Sequence, residues 1–194
     1  MAETARSRKS HLTNVGLPDG VATLLSGDAV LPADAAKGIV WRVDLVSGSY
    51  AAVIESTALF TPNNSLIPFG VDGIHIVSDQ LYFTNLARNT FGRVAIDGLG
   101  VATGPLEVLA NLTFPDDFAL LGDGTAYVVD TNTLWKVAPD GNVQILAGGV
   151  DNETFEGAMS AQCGPSCGGA RGVLYIGKLS DTVHIFVPRA HFVL

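Results

Sequence analysis

A motif that recurs four times constrains the fold of this chain more than any other feature of its sequence. Each copy is a turn leading into a short apolar run, and the copies open at Pro18, Val71, Pro115 and, in degenerate form, Glu156. Their equivalent positions, Asp19, Asp72, Asp116 and Ala158, are separated by 53, 44 and 42 residues. A period of roughly 40 to 50 residues that holds about four short strands is typical of propeller blades, because one such sheet cannot bury both faces alone.

The repeats predict an all-β chain built of four-stranded antiparallel blades. The third copy is the clearest, with strands expected at 118–121, 126–129, 134–137 and 143–146 and turns between them. The fourth copy lacks an outer strand or forms it from 191–194. We expect residues 1–14 to be a polar tail and 15–194 to be a single propeller domain or part of one.

Composition agrees with this fold class and excludes several kinds of partner. Hydrophobic residues make up 47% of the chain, whereas 22 Gly and 9 Pro interrupt the apolar runs at strand length. The apolar runs are too short for a transmembrane helix. With 11 Lys plus Arg and a net charge of -8, the chain offers no basic face. We therefore expect neither nucleic acid nor a membrane as partner.

Polar residues in the loops at one end of the blades are the candidates for a functional site. In a propeller the loops entering the inner strands meet near the central channel, where a pocket can form. That end gathers Asp19, Asp72, Asp116 and Asp117, with Asp34, Asn85, Arg88, Asn89, Asp130, Asn132 and Lys178 around them. The alternative for each acid is an ordinary turn residue whose side chain bonds the local backbone.

Common catalytic motifs are absent from the sequence. There is no Gly-x-Ser-x-Gly elbow, no His-Glu-x-x-His and no phosphate-binding Gly-x-x-x-x-Gly-Lys loop. The four histidines, His11, His75, His184 and His191, are too dispersed to suggest a zinc site.

Three segments of the second repeat carry a family resemblance: Phe69–Ile76, Leu81–Asn85 and Phe91–Val94. They resemble the fungal members of the SMP-30/gluconolactonase-like β-propeller family, and within it the branch of fungal hetero-Diels-Alderases. The similarity covers roughly residues 12 to 187. Members of that family form six blades, so the resemblance implies that the first blades are absent here. Four blades could close on themselves, a homodimer could complete the ring, or the chain could be part of a longer protein; we expect pairing of chains.

The cyclase branch implies a small apolar or conjugated substrate and no cofactor. A cycloaddition needs a shaped cavity and one or two hydrogen-bond donors that polarise a carbonyl. The catalytic candidates are His75, Arg88, Asn85 and Tyr82. The candidates for substrate binding are Asp19, Asp72, Asp116, Phe118, Asp130 and Trp41. His75 faces either the channel or a neighbouring blade, and we expect the aromatic residues Tyr82, Phe83, Trp41 and Trp135 to pack between blades.

Two other functions stay open at this stage. The metal-dependent lactonases of the resembled family hold a divalent ion, Ca²⁺ or another. Asp72 and Asp116 fall at positions where those enzymes carry ligands of the ion. The Glu ligand of their first blade has no counterpart here. A non-catalytic binding or interaction propeller is the third possibility.

The remaining sequence features concern modification and compartment. Cys163 and Cys167 are spaced for a local disulfide. Asn63, Asn111 and Asn152 begin glycosylation acceptor patterns, which matter only in a secretory protein. No signal peptide is visible in Met1–Ser10, although these features are compatible with a secretory parent. The localisation is therefore left open.

Overall fold

The computed structural model describes residues 12–149, 156–164, 167, 172–179 and 183–186. These residues contain fifteen β-strands and, within the described ranges, no helix. The strands are β1 (Pro18–Thr23), β2 (Ala29–Asp34), β3 (Ile39–Asp44), β4 (Tyr50–Glu55), β5 (Val71–Val77), β6 (Gln80–Asn85), β7 (Thr90–Ala95), β8 (Glu107–Asn111), β9 (Phe118–Leu120), β10 (Ala126–Val129), β11 (Thr133–Val137), β12 (Val143–Gly148), β13 (Ala158–Cys163), β14 (Leu174–Lys178) and β15 (Val183–Phe186).

Four antiparallel sheets follow one another along the chain, and we call them blades one to four. Blade one is β1–β4, blade two β5–β8 and blade three β9–β12, each with its strands paired in chain order. Blade four has three described strands, β13–β15. The prediction of one antiparallel blade per repeat is confirmed, while the outer strand expected at 191–194 lies outside the described residues.

The first strand of each blade lies innermost, and glycine permits these strands to approach closely. Strand β1 packs against β5, β5 against β9 and β9 against β13. A Cβ atom on Gly20 would lie 2.4 Å from the Asp72 carbonyl oxygen, and one on Gly73 would lie 2.7 Å from Oδ1 of Asp117. The turn that the sequence predicted at each Asp-Gly pair is wrong, because both pairs lie inside β1 and β5, where the register of the strand shifts. Their glycines are needed for the contact between blades.

Apolar side chains fill the space between successive blades. The layer between blades one and two includes Leu31 and Phe83, each fully buried. The layer between blades two and three is aromatic, with the Phe91 and Phe118 rings edge to face at 5.0 Å between centroids. Tyr82 stacks on Phe91 at 6.0 Å within blade two. The expected packing between blades is seen in the clusters themselves, since Tyr82 is buried with residues of blade three and Phe83 with residues of blade one. Each such side chain contributes about 2 to 3 kcal/mol through burial.

Smaller features of the fold also bear on the sequence predictions. The Cys163–Cys167 disulfide is present, with the Cα atoms 5.3 Å apart. Thr13 lies in the expected tail, and its backbone N–H donates to the Tyr50 hydroxyl at 3.1 Å. Within the described ranges, the chain has no helix of the length and apolarity required to span a bilayer.

Candidate functional site

A pocket of about 220 Å³ lies where the inner strands of the four blades begin. Blades one and two supply Asp19, Val21, Asp72 and His75 to its lining, the residues at the start of blade three supply Asp116 and Asp117, and blade four supplies Met159 and Ser160. Because the repeat places an acid at the start of β1 and of β5 and just ahead of β9, the fold brings those carboxyl groups to one place.

Asp72 is the most enclosed acid of the pocket. Only 7% of the surface of Asp72 is exposed to solvent. Burial raises its pKa to about 8, and the charges of Asp19 and Asp116 and a hydrogen bond with the Asp19 side chain act in the same direction. A hydrogen bond between two carboxyl groups requires a proton on one of them. At neutral pH Asp72 is therefore largely protonated, and its hydroxyl is a hydrogen-bond donor.

Asp116 is perturbed in the same direction. Burial raises its pKa to about 7, and the charges of Asp117 and Asp19 add to the effect. Its backbone is held by both neighbouring strands: its N–H donates to the Val129 carbonyl at 3.0 Å, and its carbonyl accepts the hydroxyl of buried Thr84. The pocket therefore contains two carboxyl groups that titrate near neutrality on a rigid backbone.

His75 connects blade two to the start of blade three. Its Nε2 lies 3.2 Å from Oδ1 of Asp117, and its ring meets Phe118 edge to face at 4.7 Å. The sequence left open whether His75 faces the channel or the next blade. It does both, because the ring lines the pocket and also contacts the neighbouring blade.

Asp130 and Trp41, two of the expected substrate-binding residues, do not line the pocket. Each belongs to an Asp–Trp hydrogen bond that is repeated in blades three and one. Oδ1 of Asp130 accepts the N–H groups of Asn132 and Thr133, and its Oδ2 accepts the indole N–H of Trp135 at 2.8 Å. Blade one repeats the arrangement: Asp34 accepts the indole N–H of Trp41 at 3.3 Å. The backbone N–H groups of Gly16, Leu17 and Lys37 also donate to Asp34. Burial raises the pKa of Asp34, but these hydrogen bonds together outweigh it and hold the pKa below the usual value.

The two tryptophans differ in their packing. Trp135 is partly buried against the layer between blades two and three, as expected. Trp41 meets Tyr50 edge to face at 5.8 Å within its own blade. The expected packing of Trp41 between blades is therefore replaced by a contact inside blade one.

Asn85 and Arg88 fix the long connection between blades one and two. The Asn85 amide donates to the Ala58 carbonyl at 2.9 Å, and Nε of Arg88 donates to the Phe60 carbonyl at 2.8 Å. Tyr82 and Phe118 lie in the layer between blades two and three. Of the ten candidates, the pocket lining contains His75, Asp19, Asp72 and Asp116, and it does not contain Arg88, Asn85, Tyr82, Phe118, Asp130 or Trp41.

The sequence did not indicate the pairing of His75 with Asp117, nor that Met159 and Ser160 complete the pocket. The signal for Met159 and Ser160 was their place at the start of the fourth inner strand. The signal for Asp117 was its position directly after Asp116, where the first two repeats carry glycine.

The acids of the pocket are of the type that can bind a divalent ion. Carboxylates are suitable donors for Ca²⁺. However, among the residues that the structure describes, no three His, Cys, Asp or Glu side chains are arranged to hold a metal ion. The divalent ion of the lactonase alternative therefore stays a prediction.

Two curated proteins are similar to this chain in sequence, and both are named as cycloaddition enzymes. "Putative hetero-Diels-Alderase asR5" of Sarocladium schorii is 32% identical over 145 residues, which are 66% of this chain and 36% of that protein. "Putative hetero-Diels-Alderase" of a Phoma species is 27% identical over 135 residues, or 66% of this chain and 38% of that protein. This chain thus spans little more than a third of their length. No family model matches it, so the wider SMP-30 assignment stays a prediction.

Solved structures identify the architecture. A structure of the Dos1 propeller matches 92% of this chain and 48% of its own, with a TM-score of 0.61 at 13% identity. The Cps50 (Swd1) β-propeller domain of Myceliophteria thermophila matches 88% of this chain and 54% of its own, with a TM-score of 0.57 at 13% identity. The chain has a β-propeller fold. A nidogen/laminin complex gives a TM-score of 0.68 at 15% identity over 90% of this chain and 61% of its own. At such identities these propellers are informative about the fold alone.

Proposed function

We propose that this β-propeller is a fungal biosynthetic cyclase that promotes a hetero-Diels-Alder cycloaddition. The observation that carries the proposal is the similarity to two fungal proteins named as hetero-Diels-Alderases. The substrate would be a conjugated carbonyl compound that reacts with an alkene. Such a reaction forms one C–C and one C–O bond, releases no group and needs no nucleophile, so the protein has only to orient the partners and polarise the carbonyl.

Asp72 is the group best suited to polarise that carbonyl. As a neutral carboxylic acid it would turn its hydroxyl from Asp19 to the carbonyl oxygen of the bound substrate, on which negative charge grows as the new carbon–oxygen bond forms. Its burial and the neighbouring acids keep it protonated at neutral pH. The geometry also favours neutral over anionic substrates, because Asp19, Asp116 and Asp117 line the same pocket and would repel a carboxylate.

The size of the pocket sets what it can enclose. Its volume of about 220 Å³ lies below the range of roughly 300 to 1,000 Å³ that is usual for drug-sized ligands. It therefore encloses the six reacting atoms and their nearest substituents. Substituents beyond these would extend along the exposed apolar residues of the rim, Val21 and Met159.

The test is a cycloaddition assay on the full chain with a 1-oxadiene generated in solution and an electron-rich alkene. The rate and enantiomeric excess of the adduct are measured with the wild-type protein, Asp72→Asn, Asp72→Ala and Glu55→Gln. Glu55 is an exposed carboxyl group on outer strand β4, so its variant is a control for loss of one charge.

We expect the wild type and E55Q to give an enantiomerically enriched adduct, and D72N to retain most of the rate because its amide is still a donor. D72A should lose about tenfold to a hundredfold in rate, which corresponds to the roughly 1.5 to 3 kcal/mol of one hydrogen bond to a charged group. A racemic adduct formed at the uncatalysed rate with the wild type would contradict the proposed function. Equal rates for D72A and wild type would contradict the role of Asp72 alone.

A further inference from the structure

The structure places two glycosylation acceptor sequences in exposed positions that the proposed cycloaddition does not use. Asn63-Asn64-Ser65 lies in the connection from blade one to blade two, and Asn111-Leu112-Thr113 ends blade two. Both asparagines are exposed. The antiparallel order of the strands puts both at the end of the blades where the inner strands begin. The third pattern, at Asn152, lies outside the described residues.

Asn111 presents both elements of its acceptor sequence to solvent. It is the last residue of β8, the outer strand of blade two. Asn111 and Thr113 are exposed, while Leu112 between them is 4% exposed and its N–H donates to the Asn89 carbonyl at 2.8 Å. The amide that a glycosyltransferase recognises therefore lies at the end of an edge strand and the hydroxyl two residues beyond it, both exposed, at a location that large polar groups protect from pairing with other chains.

Asn63 lies among exposed apolar side chains. Phe60 is 42% exposed, Leu66 is 101% exposed and Phe69 is 38% exposed, all within the same connection. Clusters of exposed apolar residues reduce solubility unless something covers them. A sugar on Asn63 would cover these side chains. The fold would not have to rearrange to accept it, because the loop is already fixed by Asn85 and Arg88.

The disulfide gives an independent indication of the compartment. Cys163 and Cys167 are bonded across the β13–β14 connection. Disulfides form and persist in oxidising compartments and are rare in the cytosol. The endoplasmic reticulum, which permits this bond, is also where asparagine-linked sugars are added.

From these observations we propose that Asn63 and Asn111 carry N-linked glycans, independently of what reaction the protein catalyses. The donor is an oligosaccharide linked to a polyprenyl diphosphate. The side-chain amide nitrogen bonds to C1 of the first sugar, the bond from C1 to the diphosphate breaks, and the amide proton leaves with the lipid diphosphate.

The decisive experiment is peptide mass spectrometry of the protein isolated from its native source. Treatment with peptide N-glycosidase in heavy-oxygen water converts a glycosylated Asn to a labelled Asp and leaves an unmodified Asn unchanged. We expect label at Asn63 and Asn111 and none at Asn85 or Asn89. Unlabelled Asn at both acceptor positions would overturn the proposal, and an unlabelled Asn at one would overturn it for that position.

Variants secreted from a eukaryotic host test the individual acceptors. N63Q and N111Q should each lose one deglycosylation-sensitive shift in mass. Thr113→Ala should behave as N111Q does, whereas Thr113→Ser and Asn64→Gln should retain the full shift because they preserve the acceptor pattern. Identical shifts for all variants and wild type would contradict glycosylation at these positions.

Discussion

Replacing Asp72 with Asn should make the protein less sensitive to rising pH. The pKa of Asp72 is raised to about 8 in the folded state, chiefly by burial and then by Asp19 and Asp116, whereas an unfolded Asp titrates near 3.9. Between these values the folded state binds a proton that the unfolded state has lost. The contribution of Asp72 to stability is therefore complete below about pH 4 and is lost as the pH rises through about 8.

The size of this effect follows from the difference in pKa. Within that window each pH unit costs about 1.4 kcal/mol. From pH 5 to pH 8 the wild type should lose about 4 kcal/mol through Asp72 alone, and Asp116, whose pKa is about 7, titrates in the same window. For a protein of this length, 1 kcal/mol corresponds to about 2 to 4 °C in Tm. Asp72 should therefore lower the wild-type Tm by about 10 °C over that interval, and D72N should lose this part of the fall while keeping the part that is due to Asp116.

Thermal unfolding of wild type, D72N and E55Q at half-unit steps from pH 4.5 to 8.5 is the measurement. E55Q removes one charge from an exposed position on β4 and should follow the wild-type curve. If D72N and wild type show the same slope of Tm against pH, Asp72 is not protonated in the folded protein. Its role as hydrogen-bond donor in the proposed reaction would then be refuted as well.

Three further results are expected. Phe118→Ala should destabilise the protein by about 3 to 5 kcal/mol in urea unfolding, because the side chain is fully buried against Phe91 and His75; Leu66→Ala, which alters an exposed side chain, should change stability by under about 0.5 kcal/mol. Millimolar Ca²⁺ should not raise Tm, and a saturable rise that Asp116→Ala abolishes would favour the lactonase instead. Light scattering should give twice the chain mass of 20.2 kDa, and a monomer would contradict the expected pairing of chains.

The architecture could be predicted from the sequence because the repeat specifies both local and long-range structure. The Gly of each Asp-Gly pair lies in an innermost strand and is required by the close approach of the neighbouring inner strand, as the 2.4 Å distance at Gly20 demonstrates. Such a residue cannot vary without disturbing the packing of two blades. The period of the repeat and the alternation of apolar residues therefore agree, and the predicted strands of blade three match the observed ones within two residues.

The composition of the pocket was only partly predictable, because the same residue types serve two purposes at this end of the blades. Asp130 and Asp72 are the same residue type at the same end of the blades, but they have different partners. Asp130 accepts backbone N–H groups and an indole N–H in its own turn, whereas Asp72 lines the pocket. The difference is their position in the blade: Asp130 follows a second strand, whereas Asp72 begins an innermost one. The residue type gives the chemistry of a side chain, and its position in the order of strands decides which partner it contacts.

The acids at the start of the inner strands show how the fold alters the chemistry of its own turn residues. An isolated Asp-Gly turn leaves its carboxylate in water and ionised. Here the propeller brings the acids of three successive blades to one enclosed pocket, where desolvation and mutual repulsion act together on Asp72 and Asp116. Protonation relieves that repulsion. The folded state is destabilised only as the pH rises through the pKa and the proton is lost. When three blades converge, the repeated acid thus supplies two carboxyl groups that titrate near neutrality, and of these Asp72 is the protonated donor suited to a neutral carbonyl.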